Sequence, residues 1–300
     1  MSSDIRVQAF AKINLSLRVL GRREDGYHEV RTIFQAIALH DTLTVRRTRG
    51  PFVLTVGDGV DSVPGPSRVR PGSVPADRTN LVWRAVDALW TRARRRGAPR
   101  GLAIHLVKRI PVQAGLGGGS SDAAATLRAL AKMWRVDDRC VRDAAVSLGA
   151  DVPFFLEGGT ALGLERGDVL FPLIDRQPAS VVLVIPPFGV STPEAYRWWD
   201  VKSSSEVLPK WLRSASDAIG VNDLQGPVAA HHPEIARIVR ALTRAGADCA
   251  AMSGSGSAVF GLFSSRSTAD RAARAVKNRL RRVLVTRTLT RAACRRLAAK

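Results

Sequence analysis

Three features of this 300-residue chain can do chemistry: a glycine run at 115–119, a lysine at 12 and an aspartate at 151. The run stands in the stretch 111–121, Pro-Val-Gln-Ala-Gly-Leu-Gly-Gly-Gly-Ser-Ser. Glycines this dense lose too much conformational freedom to form a strand or a helix interior. The residues behind them do read as a helix, with Ala123, Leu127, Leu130, Ala131 and Trp134 on one face at helical spacing. Ser120 and Ser121 stand where an N-cap belongs, and residues 102–108, ahead of the loop, read as a strand. Strand, glycine loop and helix start turn backbone N–H groups toward one point, which suits a phosphate. A flexible hinge before a helix is the alternative. The loop is not a Walker A motif, since it lacks the Gly-Lys-Ser/Thr ending, and it does not fit Gly-x-Gly-x-x-Gly.

Phosphate binding alone is not catalysis. Phosphoryl transfer needs an acceptor hydroxyl relieved of its proton and compensation of charge on the transferred group. Lys12 can supply the charge. Its segment, Ala9-Phe-Ala-Lys-Ile-Asn-Leu15, is mostly apolar or small, which predicts a lined cleft; a surface lysine on a strand is the plainer reading. Asp151 can accept the proton, or it can cap the turn opening at Val152, with Pro153 early in that turn. The spacing fits both roles. His28, beside Tyr27, can read a ligand's hydrogen-bond pattern or simply follow a turn. His231-His232 before Pro233 fits the start of a helix better than a metal site, and no residue is singled out as a metal ligand. There is no Gly-x-Ser-x-Gly elbow for a serine hydrolase.

The elements that must hold these residues follow from periodicity. Residues 5–20 alternate, with Ile13, Leu15, Leu17 and Val19 on one side and Lys12, Asn14, Ser16 and Arg18 on the other, the pattern of a half-buried strand. Glu24-Asp25-Gly26 makes a turn, and further strands are expected at 27–37, 41–45 and 52–56. Residues 57–77, rich in proline, are expected to loop out. Helices are expected from Asn80 to the arginines before Gly97, and from Asp137 or Asp138 to Gly149. Strands at 159–164, 169–173 and 180–185 follow, then a polar, weakly helical stretch at 201–219. A helix from Pro233, a strand at 249–252, the apolar run 258–263, a helix at 268–280 and a strand at 283–289 complete the reading. Strands and helices mix without regular alternation, so the class is α+β, with a division expected at 160/161.

A chain with 45% hydrophobic residues can bury a full core, and its cysteines, Cys140, Cys249 and Cys294, are scattered. The N-terminus lacks the apolar run of a signal peptide and no stretch reaches membrane-spanning length, so a cytoplasmic protein is expected. The formal charge is +20, with only seven lysines among 46 basic residues. No acidic residue follows Asp270, while eleven basic ones do, from Arg271 to Lys300. That end can be a nucleic-acid surface. Aromatics do not interleave with it as base stacking requires, so solvated arginine faces are the preferred reading, and either way the field draws anionic substrates.

Four segments together carry a resemblance. Ala11-Lys-Ile-Asn-Leu15 with Arg23-Glu-Asp-Gly-Tyr-His28, then Gly115-Leu-Gly-Gly-Gly-Ser-Ser-Asp-Ala-Ala124, then Gly149-Ala-Asp-Val-Pro-Phe154, and Ser253-Gly-Ser-Gly-Ser-Ala-Val-Phe260 occur in the order found in the galactose, homoserine, mevalonate and phosphomevalonate (GHMP) kinase superfamily. The Lys-x-Asn segment with Asp-Gly-Tyr-His resembles one family within it, the 4-diphosphocytidyl-2-C-methyl-D-erythritol kinases of the non-mevalonate isoprenoid pathway.

The resemblance implies an N-terminal domain (1–160) like part of a ribosomal protein, a ferredoxin-like C-terminal domain (161–300) and an active site between them. It implies ATP with Mg²⁺, and phosphorylation of the 2-hydroxyl of the cytidine diphosphate substrate. Lys12 and Asp151 become the catalytic pair. Pro111, Val112, Gln113, Ala114, Gly115, Leu116, Gly117, Gly118, Gly119, Ser120 and Ser121 become the ATP phosphate loop, with Asn80 and Lys108 bordering adenine. Asn14, Tyr27 and His28 face the cytidine substrate, Tyr196 and Tyr27 sandwich cytosine, and Gly254 and Gly256 close the cleft. Gln113-Ala114 departs from the two glycines usual there, implying a stiffer loop front. A homoserine- or mevalonate-type kinase is the nearest alternative, and a basic nucleic-acid-binding protein the alternative outside the class.

Overall fold

Both halves of the molecule are built on one strand, β1 (Ile5–Arg22). The computed structural model describes residues 4–58, 74–203 and 219–298. Most of the expected proline-rich loop and of the polar stretch 201–219 lie outside the described residues.

β1 pairs along its length with β2 (His28–Pro51), which runs unbroken where two strands were expected. Register shifts at Phe10/Ala11, Asn14/Ser16 and Val19/Gly21 bend the ribbon. β2 is long enough to serve two neighbours. Its second half pairs with β4 (Arg100–Lys108), which carries β3 (Val53–Asp58) in parallel. Its first half pairs with β5 (Thr160–Leu164), followed by β6 (Val169–Pro172). The expected division at 160/161 therefore falls inside this first sheet.

Four helices cover one face: α1 (Leu81–Arg92), α2 (Gly118–Trp134), α3 (Asp138–Leu148) and α4 (Val152–Glu157). Asn80 and Asp137 cap α1 and α3 through their side chains, as their residue types predict. Leu89, Leu127, Leu130 and Phe154 meet Leu43, Leu102, Ile104 and Leu106 in the core beneath.

The second half follows β7 (Ser180–Ile185), α5 (Thr192–Ser203), β8 (Val221–Asn222), α6 (Gln225–His231), α7 (Glu234–Arg244), β9 (Cys249–Met252), β10 (Val259–Phe263), α8 (Arg266–Val276), β11 (Arg282–Arg287) and α9 (Arg291–Ala298). Its antiparallel sheet has the order β11-β7-β10-β9. Two elements cross back: β8 pairs in parallel with Ser16 and Leu17 of β1, and Cys294 and Leu297 of α9 pack into the first core. Arg291 is a structural tie, since its backbone N–H reaches Asp175 and its guanidinium the carbonyls of Thr160 and Leu173.

The half-buried reading of β1 is corrected: residues 9–19 are buried on both faces. Ile13 and Leu15 pack with Val181, Leu183 and Phe260 between the two sheets. The opposite face, with Lys12 and Asn14, is covered by the glycine loop. Burial there is tolerated because its polar groups are paired. Among the described residues no helix is long and apolar enough to cross a membrane.

Candidate active site

The polar face of β1 forms the floor of the site. The Lys12 backbone N–H donates to Leu116 O at 3.0 Å, tying strand to loop. Its ammonium donates to Asn14 Oδ1 at 2.6 Å and lies 3.4 Å from Asp151 Oδ2. Asn14 Nδ2 donates to Thr32 Oγ1 at 2.7 Å, and that hydroxyl donates to Ser16 O. Every partner holds the next, so the ammonium has one position.

Asp151 precedes α4 as a cap would, but its backbone is helical and its side chain makes no capping bond. Its carboxylate faces Lys12 instead. The capping reading therefore does not hold here.

The expected cap at Ser120 and Ser121 is corrected. α2 begins at Gly118, because Gly117 adopts a left-handed conformation (φ 69°) that starts the helix before the serines. Ser121 is buried and donates Oγ–H to Phe10 O at 2.6 Å. No side chain caps the helix, so first-turn N–H groups are available to an anion. The loop lies directly on the lysine, since a Cβ at Gly117 would stand 2.6 Å from Phe155 Cζ and 3.3 Å from Lys12 Cε.

The second half closes the site from above. Ser253 Oγ donates to Gly115 O at 2.9 Å, and a Cβ at Gly254 would meet Asn14 Oδ1 at 3.2 Å and Lys12 Nζ at 3.3 Å. Gln113, where two glycines were noted as usual, holds a positive φ of 53° and accepts from the Val190 N–H at 3.4 Å.

Lys108 is not a free cation. Its ammonium lies between Asp41 Oδ2 (2.5 Å) and Asp122 Oδ2 (2.7 Å), all three groups buried. Asp41 Oδ1 also accepts the backbone N–H groups of Arg109 and Ile110, fixing the chain as it enters the loop. Burial raises the Asp122 carboxyl well above the usual carboxylate range, with the neighbouring Asp41 adding to the effect against the opposing pull of Lys108. Asp122 Oδ1 has no hydrogen-bond partner, as suits a neutral acid. Burial opposes the Lys108 charge, yet its close neighbours Asp122 and Asp41 outweigh it and the ammonium is held protonated.

At the far end α5 brings in Tyr196, whose ring stacks on His28 with centroids 4.5 Å apart. Burial, and secondarily the Asp151 carboxylate, push the Tyr196 phenol upward, so it stays un-ionised. Tyr27 stands apart at 58% exposure, its ring under the Arg166 guanidinium at 5.3 Å.

One cleft of about 560 Å³ joins these parts. Lys12, Asn14, Asp151, Asn80, Lys108, Tyr196 and the loop from Pro111 to Ser120 line it; Ser121, Tyr27 and His28 do not. Residues that sequence reasoning missed are Thr32, Arg166, Asp41 and Asp122. Asp122 had a signal, since it follows the two serines directly; the others have none in spacing. His231 and His232 take no part: they stack on Trp198 and Phe188.

The sequence models of the GHMP kinases N terminal domain and C terminal domain match residues 80–159 and 206–282. A 4-diphosphocytidyl-2-C-methyl-D-erythritol kinase of Pelotomaculum thermopropionicum is 41% identical, covering 95% of this chain and 98% of its own. One of Moorella thermoacetica is 40% identical, covering 95% and 99%. A crystal structure of 4-(cytidine 5'-diphospho)-2C-methyl-D-erythritol kinase superposes with a TM-score of 0.72 at 34% identity, over 95% of this chain and 99% of that one. Homoserine kinase from Cytophaga hutchinsonii superposes at 0.68 with 19% identity, a likeness of fold alone.

Proposed function

The chain belongs to the 4-diphosphocytidyl-2-C-methyl-D-erythritol kinase family of GHMP kinases, and on that premise we propose how its cleft performs the family's reaction. The enzyme is an ATP-dependent kinase that phosphorylates the 2-hydroxyl of 4-diphosphocytidyl-2-C-methyl-D-erythritol. It serves the non-mevalonate isoprenoid pathway, and in our reading does so in the cytoplasm.

The observation that carries the mechanism is the position of the Lys12–Asp151 pair, between the open start of α2 and Tyr196 in a single cleft. The N–H groups at the glycine loop take the triphosphate of ATP. The acceptor hydroxyl lies against Asp151, which takes its proton as the oxygen bonds to the γ-phosphorus and ADP leaves. Lys12 offsets charge on the transferred oxygens, and Asn14 and Thr32 hold it in place. Asn80 and Lys108 border the adenine end, with Lys108 acting chiefly to set the loop through Asp41. Tyr196, Tyr27 and His28 serve the cytidine end.

Mg²⁺ bound with ATP needs only one or two protein oxygens. The Ser120 hydroxyl in the cleft lining fits that need. The ion would neutralise phosphate charge.

ADP release measured with ATP, with and without the cytidine substrate, tests the reading. Turnover that depends on the cytidine substrate is expected. Turnover with homoserine or mevalonate in its place would redirect the assignment to another GHMP kinase.

A further inference from the structure

Asn222, at the end of β8, holds the loop that closes the cleft from above. Its side chain is buried, and its amide nitrogen donates to two carbonyls of that loop, Met252 O and Gly254 O, each at 2.8 Å. Its amide oxygen accepts the Leu224 N–H at 2.9 Å. The amide has only this orientation, since the reverse would set its oxygen against two carbonyls and its NH₂ group against an N–H. The segment around it is fixed in turn. Gly220 and Asp223 donate their backbone N–H groups to Leu15 O and Leu17 O of β1. The Asp223 carboxylate accepts the Val19 N–H, and Gln225 Oε1 accepts the Met252 N–H. Within the loop, the Gly256 N–H donates to Ser253 O at 2.9 Å and closes a tight turn.

Asn222 is not part of the cleft lining, whereas Gly254 and Ser255 are. The Gly254 carbonyl is drawn toward Asn222, on the far side of the loop. In a planar trans peptide the N–H points opposite to the C=O. The Ser255 N–H therefore points away from Asn222, toward the cleft, and it has no hydrogen-bond partner among the described residues. The same backbone lies on Lys12, since a Cβ at Gly254 would stand 3.3 Å from Lys12 Nζ. An unpaired N–H fixed beside an ammonium suits an oxygen on which negative charge develops, because neither donor has to reorganise during the reaction.

We propose that Asn222 is a positioning residue for phosphoryl transfer: by holding the Gly254 carbonyl it aims the Ser255 N–H at the oxygens of the phosphoryl group as it passes from ATP to the acceptor. The bond changes are those of the kinase reaction, on which the inference rests: the acceptor oxygen bonds to the γ-phosphorus, the bond to ADP breaks and Asp151 takes the proton. The Ser255 N–H only donates a hydrogen bond, and Asn222 acts through the loop without touching either substrate.

Two measurements test it on the full chain. In a ¹⁵N-serine-labelled sample, Ser255→Ala identifies the Ser255 amide signal. That signal should move when ADP, Mg²⁺, aluminium fluoride and the cytidine substrate are added together, the fluoride standing in for the phosphoryl group in transfer. Separately, kcat, both KM values and the affinity for the same aluminium fluoride mixture are compared in the wild type, Asn222→Ala and Asp223→Asn. Removing one donor of this kind costs about 10²–10³-fold in kcat. Asn222→Ala, which frees the peptide to turn, should lower kcat by about tenfold or more and weaken the aluminium fluoride complex in proportion, with both KM values little changed. Asp223→Asn loosens the same segment from β1 but leaves the Asn222 bonds in place, and should lose far less of either. Equal losses in the two variants, or a loss in KM alone, give Asn222 a purely structural role and overturn the proposal. Should Asn222→Ala not fold, the Ser255 signal of the wild type still decides. A wild type that turns over while its Ser255 signal stays put overturns the inference alone; one that releases no ADP with the cytidine substrate overturns the kinase reading and the inference with it.

Discussion

The ammonium of Lys12 and the carboxylate of Asp151 stand 3.4 Å apart with unequal access, at 4% and 33% exposure. Lys12, rooted in the central strand and bonded to Asn14, is the fixed half. Asp151, with no capping duty, is the half a substrate can reach. That asymmetry suits a base meeting an acceptor hydroxyl beside an immobile cation.

Asp151→Asn keeps the shape and removes the base. Its kcat should fall by about 10²–10⁴-fold while both substrates still bind. Lys12→Met should also lower kcat, and the double variant should lose less than the product of the two, because residues acting as a unit are not additive. Steady-state kinetics at saturating ATP and cytidine substrate checks this. Near-wild-type turnover in Asp151→Asn moves the base elsewhere.

Tyr196 lines the cleft while its ring lies on His28. Removing an aromatic that stacks on a base costs roughly 1–3 kcal/mol. Tyr196→Ala should raise the KM for the cytidine substrate accordingly and spare that for ATP; Tyr196→Phe should behave nearly as wild type. A parallel loss for both substrates in Tyr196→Ala points to a folding defect, which circular dichroism would reveal.

The buried Asp41–Lys108–Asp122 group makes a stability prediction with a pH sign. Asp122 has a raised folded-state pKa, so its contribution is fully present below the ordinary carboxylate pKa, about 4, and declines as pH rises through the folded value. Asp122→Asn mimics the neutral acid. Its denaturation midpoint should drop less than the wild type's as pH is raised. Lys108→Met leaves the buried Asp41 carboxylate without its cation and should cost about 3–5 kcal/mol. Urea titrations across pH read both, and a variant Asp122→Asn with an undiminished pH slope counts against a neutral Asp122.

Gln113 holds a left-handed backbone that disfavours any residue with a Cβ by roughly 1–2 kcal/mol. Gln113→Gly relieves that strain but gains freedom in the unfolded chain. The expected net change is a gain of under about 1 kcal/mol. A clear loss of stability in urea would show that the Gln113 side chain, set against Gly189, holds the loop by contacts.

Local chemistry written in contiguous residues was legible in the sequence. The glycine run could be read as leading from a loop into a helix, although Gly118 and Gly119 belong to the first turn of α2, Asn80 and Asp137 could be read as caps, and the alternation along residues 5–20 placed Lys12 and Asn14 on one side of a strand. Periodicity reports which side chains share a face, but not what covers that face. The tertiary structure decided that both faces of β1 are buried, since the second sheet and the glycine loop arrive from distant parts of the chain. It decided that Asp151 faces Lys12 rather than capping α4, a choice between two roles the spacing allowed equally. It also paired Lys108 with Asp41, 67 residues away, and His28 with Asp200, 172 residues away. Such pairings leave no trace in spacing. A buried charge must find a partner, but which partner is settled by the packing that excludes water from both.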